Sequence, residues 1–382
     1  MNCKIAIFDL KGALAPEDQP LMLEPVLFCP VLTWMAQELM CCGVQRYFIV
    51  CRENWREEAR EALQGFDAEF FDDVPAALSA AEEDVMVVPG PVVPVYGPED
   101  GRSVYAADSQ VLLARLRAGT PLTDCPAEAA GVRSLWGLQT LAPAFRPFDS
   151  AAALAAAMPD ARELILRRLA ENGVTVVDPV NTYVDPRCSV APGVTLLPGT
   201  ILRGHTAIAA GCEIGPNSMV RDCIVGEGTT VNASQVNEST IGSHTTVGPF
   251  TYVRPGCRIG DHCRVGDFVE VKNSVIGDGT KISHLTYVGD SDVGRRVNFG
   301  CGTVTTNYDG HKKFRCTIGD DAFLGCNTNL IAPVTVGDRA YTAAGSTVTD
   351  NVPDGALAIA RARQTNKEGW ADRLRALWKK NQ

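Results

Sequence analysis

No stretch of about 18 apolar residues occurs in the 382-residue chain, which excludes a transmembrane-helix reading. The first residues also lack the basic-then-apolar pattern of a secretory leader. No basic cluster relieves a net charge of −10, so nonspecific nucleic-acid binding is excluded as well. The fourteen cysteines include no CxxC pair, and only Cys41 and Cys42 adjoin. That scatter argues against a disulfide framework or a thiolate metal site, and for buried reduced thiols in a cytosolic protein. Histidine is scarce, with five in all, so each can be weighed by its position.

What the chain does have is a six-residue beat. Aliphatic residues fall at Val184, Val190, Leu196, Leu202, Ile208, Ile214 and Val220. The beat recurs at Val247, Val253, Ile259, Val265 and Val271, and again at Ile318, Leu324, Leu330, Val336, Thr342 and Val348. A helix repeats at about 3.6 residues and a half-buried strand at about 2, so six fits neither. A glycine-punctuated hexapeptide reads as a parallel β-helix, with three short sides closing a coil of about 18 residues. Repeat length predicts about eight or nine coils. Five-residue steps, as at 220→225, 231→236, 236→241, 271→276 and 288→293, tighten some corners. Cys188, Cys212, Cys257 and Cys263 fall four places after inward aliphatics, where a small side chain suits the interior.

Ahead of the repeat the pattern is α/β. Segments 3–8, 46–51 and 84–88 read as strands, 31–42 as a helix, and a charged helix follows the second strand. Strands alternating with helices predict a small, largely parallel sheet. An Ala-rich amphipathic helix from 150 to 172, stopped by Gly173, reads as a connecting arm. The expected organisation is an α/β unit over 1–149, an arm over 150–178, a β-helix over 179–356 and a tail over 357–382.

From 305 to 317 the beat stops, and a polar stretch containing NYDG must project from the prism, where binding residues collect. His205, His244 and His262 occupy corner phases and His311 lies in this loop. His284 alone lies on a side, two places after Ile282. Lys272 precedes it by 12 residues and Arg254 lies another 18 before that, one coil back; Lys313 and Arg315 belong to the loop. A base beside several cations is what transfer chemistry on a phosphorylated amine needs. His244 and His262, 18 apart, should stack, but they have no third ligand at matching phase for a zinc site.

The runs GPFTYVRPG (248–256), GDFVEVK (266–272), SHLTYVGD (283–290), NFGCGTVTTNYDG (298–310), IAPVTVG (331–337) and AIARARQTNKEGW (358–370) are more specific than the beat. Over about 200 residues this half resembles the acetyltransferase domain of the bifunctional N-acetylglucosamine-1-phosphate uridyltransferase/glucosamine-1-phosphate acetyltransferase family. The resemblance implies a left-handed β-helix, a homotrimer, and transfer from acetyl-CoA to glucosamine 1-phosphate without a metal. Matching residues imply His284 as general base and Arg254, Lys272, Tyr287, Asn298 and Lys313 on the sugar phosphate, with Glu270 orienting the amine. They imply acetyl-CoA contacts at Asn307, Tyr308, Ala344 and Arg361. Cys301 and Cys326 stand on the CoA side where the family has Ala and Ser, close enough to a thioester for a side reaction.

The first half departs from that family. Its nucleotidyltransferase needs a glycine-rich loop, cations and a magnesium carboxylate. Here Gly12 is the one glycine left, Pro16 and Leu21 stand near the expected Arg and Lys, and Pro91 replaces the metal-binding Asp. The half is also several dozen residues short of the family's. A degenerate nucleotidyltransferase-like domain that has lost uridylyl transfer is expected. Two rivals stand beside this reading: an acetyltransferase for another phosphorylated or nucleotide-linked amino sugar, and a non-catalytic assembly subunit.

Overall fold

The computed structural model describes residues 4–15, 18–41, 43–82, 85–88, 90–96, 114–116 and 144–380. The expectations placed on Pro16, Cys42 and Asp84 lie outside the described residues.

In the strand Ile5–Asp9 every residue from Ile5 to Phe8 is buried, because helices cover both faces of its sheet. Ala6 and Phe8 join one core with the helix Val31–Cys41, and Ile5 and Ile7 join another with the helix Val74–Ala80. The sheet runs Asp67–Phe71, Arg46–Val50, Ile5–Asp9, Val85–Val88, Ala114–Leu116. The first four strands are parallel and the last is antiparallel. The helix expected after the second strand is present as a short 3-10 turn, Glu53–Trp55, leading into Arg56–Ala62.

The arm is one helix, Ala151–Glu171, whose start is capped by Ser150 Oγ accepting from the Ala153 amide at 3.2 Å. Arg168 near its end bonds Glu38, an almost fully buried carboxylate of the first unit that also accepts from Trp34 Nε1. Arg187 joins the β-helix to that unit, donating to Phe28 O at 2.9 Å while paired with the fully buried Asp185. One apolar cluster continues through both halves.

From Thr175 onward the chain winds a left-handed parallel β-helix with three flat faces of eleven, ten and nine strands. That is about ten coils, more than the beat suggested, because Thr175–Val176 and Leu357–Ala358 extend the first face at its ends. The beat residues point inward: Ile282, Val288 and Ile276 are all at most 2% exposed. Two beat positions are threonine, Thr305 and Thr342, and each hydroxyl has a partner. Thr305 Oγ1 accepts from the Gly289 amide at 2.7 Å, and Thr342 Oγ1 bonds the Gly325 amide and the Thr328 hydroxyl. Cys212, Cys257 and Cys263 are buried as expected and Cys188 is half-buried; burial pushes the Cys188 thiol up to about 12.

The corner after the first face has an unusual composition. Phe250, Phe268 and Leu285 stack there on successive coils with φ of 58°, 56° and 45°, a backbone region costly for bulky side chains. They are 59–60% exposed, and the two phenyl rings stack 5.4 Å apart. His244 and His262 stack likewise on another corner, 5.2 Å apart.

Candidate active site

The site is assembled from two adjoining faces. His284 ends the first-face strand Lys281–His284, and one corner later Tyr287 begins the second-face strand Tyr287–Gly289. His284 is half-exposed, and its Nδ1 lies 3.0 Å from Asp267 Oδ1. The two residues are register partners on neighbouring coils. The Asp267 carboxyl is held below its usual range by its own backbone N–H, and further by His284. An ionised carboxylate only accepts, so Nδ1 carries the hydrogen and the lone pair of a neutral imidazole lies on Nε2. The Thr286 hydroxyl fixes the backbone here, donating to His284 O at 2.7 Å. A base with a fixed tautomer results.

Sequence reasoning missed Asp267. Counting back 18 residues from His284 lands on Gly266; the five-residue step at 271→276 shortens that coil to 17 and brings Asp267 into phase.

The second face carries the cations. Arg254 pairs with Glu270 at 2.8 Å, and both are about 40% exposed. The loop residue Lys313 neighbours Lys272, whose ammonium pushes the Lys313 pKa down. Two neighbouring ammonium groups repel, and an anion placed between them relieves that repulsion. Lys272 also reaches Asp290 Oδ2 at 3.4 Å. Asp290 was not anticipated either. Only 4% exposed, it accepts from Asn273 Nδ2 at 2.6 Å and from Asn307 Nδ2 as well as Lys272. Burial would raise its pKa, but these three donors outweigh it and hold the carboxyl below its usual range.

The interruption of the repeat is narrower than expected. Val304–Thr306 and Cys316–Ile318 are strands of the ladder, so the loop runs only from 307 to 315. Its first residue, Asn307, does not project: it is 7% exposed and bonded to Asp290, with Tyr287 OH 3.4 Å away. Tyr308 does project, its hydroxyl donating to Gly310 O at 2.8 Å. Arg315, counted among the cations, is taken up by Asp292 and by the carbonyls of Asn273 and Ser291. It braces the loop base.

The remaining expected residues follow the first face upward. Asn298 pairs with Lys281 in the coil after His284. Cys301 and Cys326 stand on successive coils, with the Asn327 amide bonded to Cys301 O at 2.8 Å. Ala344 comes next, the Gly345 amide bonding Cys326 O at 2.8 Å, and the Arg361 side chain lies beside Gly345. Ala344 and Arg361, distant in sequence, thus continue one line with His284, Cys301 and Cys326. Arg254, Glu270, Lys272, Tyr287, Asn307 and Lys313 form a separate group around the corner.

The description "Bacterial transferase hexapeptide (six repeats)" matches residues 238–273 and 315–350. Bifunctional protein GlmU of Geobacillus sp. strain WCH70 is 51% identical over 222 residues, covering 58% of this chain and 48% of that protein. Bifunctional protein GlmU of Clostridium acetobutylicum is 53% identical over 203 residues, covering 53% and 44%. The chain spans about half the length of the curated relatives it matches. A solved UDP-N-acetylglucosamine O-acyltransferase (LpxA) from Moraxella catarrhalis RH4 aligns with a TM-score of 0.28 and 16% identity, over 51% of this chain and 81% of that one. Through its β-helix half the chain is a relative of the GlmU proteins.

Proposed function

We propose that this relative of GlmU is an acetyl-CoA-dependent N-acetyltransferase acting on glucosamine 1-phosphate, and that it no longer transfers a uridylyl group. An imidazole whose tautomer Asp267 fixes at 3.0 Å, one corner away from the face that carries Arg254 and Lys272, carries the reading. A phosphate dianion bridging two ammonium groups would anchor the sugar beside the base. Arg254 adds a third positive charge, and its partner Glu270 offers a carboxylate to orient the amine. Tyr287 and Asn298 contribute polar groups on either side of the corner.

The line Cys301, Cys326, Ala344, Arg361 suits acetyl-CoA, with small side chains beside the thioester and a guanidinium for a CoA phosphate. Asn307 and Tyr308, expected on acetyl-CoA as well, lie around the corner from that line, where the exposed Tyr308 is the one free to reach a ligand. His284 Nε2 takes a proton as the amine nitrogen attacks the acetyl carbonyl; the C–S bond then breaks and CoA departs as the thiol. Holding amine and thioester together supplies the rest of the acceleration. A nucleotide-linked acceptor would need further free cations. Arg203 and Arg221 share the second-face line, but Arg203 lies over the Phe28 ring and Arg221 pairs with Glu238. A small phosphomonoester fits better.

A homotrimer is part of the proposal. Phe250, Phe268 and Leu285 hold strained backbone to present apolar side chains outward, which a second copy would cover. The first unit supports loss of the other activity. Where a triphosphate would need N–H donors and cations, the Asp9 carboxylate ends the central strand and accepts from the Lys11 amide. Leu21 and Pro91 are buried, and Arg52 and Arg56 are already paired with Asp18, Glu53 and Asp72. Incubating the protein with acetyl-CoA and a panel of amino sugars tests the acceptor. Turnover with glucosamine 1-phosphate above all others is expected; preference for a nucleotide-linked sugar, or no turnover with any, would refute it.

A further inference from the structure

The residue stacked on His284 from the next coil is a thiol. Lys281 stands opposite Asn298 and Ile282 opposite Phe299, so two residues further His284 stands opposite Cys301. One coil the other way, His284 stands opposite Asp267 and is bonded to it. Adjacent strands lie about 4.8 Å apart, so Asp267, His284 and Cys301 form a row of carboxylate, imidazole and thiol within about 10 Å. Nδ1 is engaged by Asp267, which leaves Nε2 to accept a proton. Cys301 is half-buried rather than sealed in the prism, unlike Cys257, Cys263 and Cys316. A nucleophile next to a base that is oriented by a third group is the arrangement that activates cysteine for acyl transfer.

We propose that Cys301 takes the acetyl group from acetyl-CoA, so that the chain forms an S-acetyl-cysteine. The proposal rests on the reading above in one respect, that acetyl-CoA lies along the line from Cys301 to Arg361. Nε2 removes the Cys301 S–H proton as Sγ attacks the acetyl carbonyl. The tetrahedral adduct collapses by breaking the bond between the carbonyl carbon and the CoA sulfur. The departing thiolate recovers the proton from the imidazolium and leaves as CoA–SH. One thioester replaces another, so the step needs no oxidant or other co-reactant and runs readily in both directions. The amine of an acceptor can then attack the cysteine thioester as it would attack acetyl-CoA, regenerating the Cys301 thiol. The hydrogen bond between Sγ and Nε2 closes on acyl-CoA binding, since catalytic hydrogen bonds commonly tighten only with substrate in place. Cys326, one coil further along, lacks an adjacent imidazole, so it serves as the internal comparison.

Reversibility supplies a test that requires no acceptor. The full-length protein is mixed with unlabelled acetyl-CoA and radiolabelled CoA, and label entering acetyl-CoA is followed. In parallel, protein exposed to acetyl-CoA alone is digested and each cysteine peptide weighed. The expected result is exchange in the wild type, an added acetyl group on the Cys301 peptide, and loss of both in Cys301→Ala. Exchange should fall at least about a hundredfold in His284→Ala, the usual scale of a general-base contribution. Exchange that persists in Cys301→Ala, or acetyl spread equally over Cys326 and the exposed Cys41, overturns the proposal. Absence of exchange and of S-acetylation while glucosamine 1-phosphate is still acetylated also overturns it, leaving the acceptor reading intact. Absence of all three activities defeats both.

Discussion

Replacing Asp290 by asparagine removes one charge and little volume, at a point where three donors converge. In the native chain its carboxylate accepts from Asn273, Asn307 and the Lys272 ammonium while almost fully buried. The amide retains one acceptor oxygen and turns an NH2 group toward a neighbour that is itself a donor. One hydrogen bond from an amide to a charged acceptor is lost, worth about 1.5–3 kcal/mol. Lys272, whose side chain is 18% exposed, loses its counter-charge while still facing Lys313. Breaking a buried pair costs about 3–5 kcal/mol when no relief is available, and partial exposure provides some. We expect a total near 3 kcal/mol, or roughly a hundredfold faster amide exchange in the strands Tyr287–Gly289 and Val304–Thr306. The sign of the pH dependence follows from the depressed pKa of Asp290. Its stabilisation is fully present above the unfolded carboxyl pKa of about 3.9 and is lost as pH falls through the lower folded value. Because the variant lacks this titration, the gap between the two proteins should narrow below about pH 4. Hydrogen exchange of both proteins at neutral pH and in acid measures this directly. Equal protection at neutral pH, or a gap that widens in acid, would refute the reasoning.

Four further outcomes are expected. His284→Ala should lower kcat by roughly two to four orders of magnitude with an unchanged circular-dichroism melt, since the ring is half-exposed; near-native turnover would remove the base. Gly266→Ala would set a Cβ 2.1 Å from Ser283 O, in the strand that carries His284, so both melting temperature and activity should fall; a neutral effect would show that the ladder yields there. Light scattering should give three times the chain mass, and Phe268→Glu on the exposed corner should give the mass of one chain; a trimer in both, or a monomer in both, would mean that this corner is not the contact. With UTP, magnesium and N-acetylglucosamine 1-phosphate, no pyrophosphate release that depends on the sugar phosphate should be seen; appreciable release would show that the first unit still transfers a uridylyl group.

Inward aliphatics at a fixed interval made the β-helix legible in the sequence, because its interior admits little else at those positions. His284 could be singled out for the same reason: its phase put it on a side when the other histidines fell at corners or in the loop. Asp267 was hidden because a shortened corner shifts phase by one residue, and a count made in eighteens passes over it. Asp290 was hidden by its setting, where an acid after a glycine at a corner resembles ordinary turn punctuation. Its burial shows only once Lys272, Asn273 and Asn307 come together from different coils. Asn307 was misread for a related reason, because it opens a polar loop yet turns inward to satisfy a carboxylate that the local sequence does not reveal. The coil number was underestimated because the terminal strands Thr175–Val176 and Leu357–Ala358 carry weak versions of the beat. In the first unit, alternating strands and helices were enough to predict a largely parallel sheet. The order of its strands came only from the pairing.

In the ladders each strand of the β-helix pairs only with the strands of the coils on either side of it. Length and chemistry are therefore separable properties of this chain. Arg254, Lys272, His284 and Cys301 sit on a few adjoining coils, whereas the coils before about Ser234 act as a spacer between them and the α/β unit. Deleting one whole coil from the spacer would shorten the rod by about 4.8 Å and leave the α/β unit on the same face, while every bond around His284 stayed as it is. Such a fold can be lengthened or trimmed in steps of one turn, with the coils around His284 left unchanged.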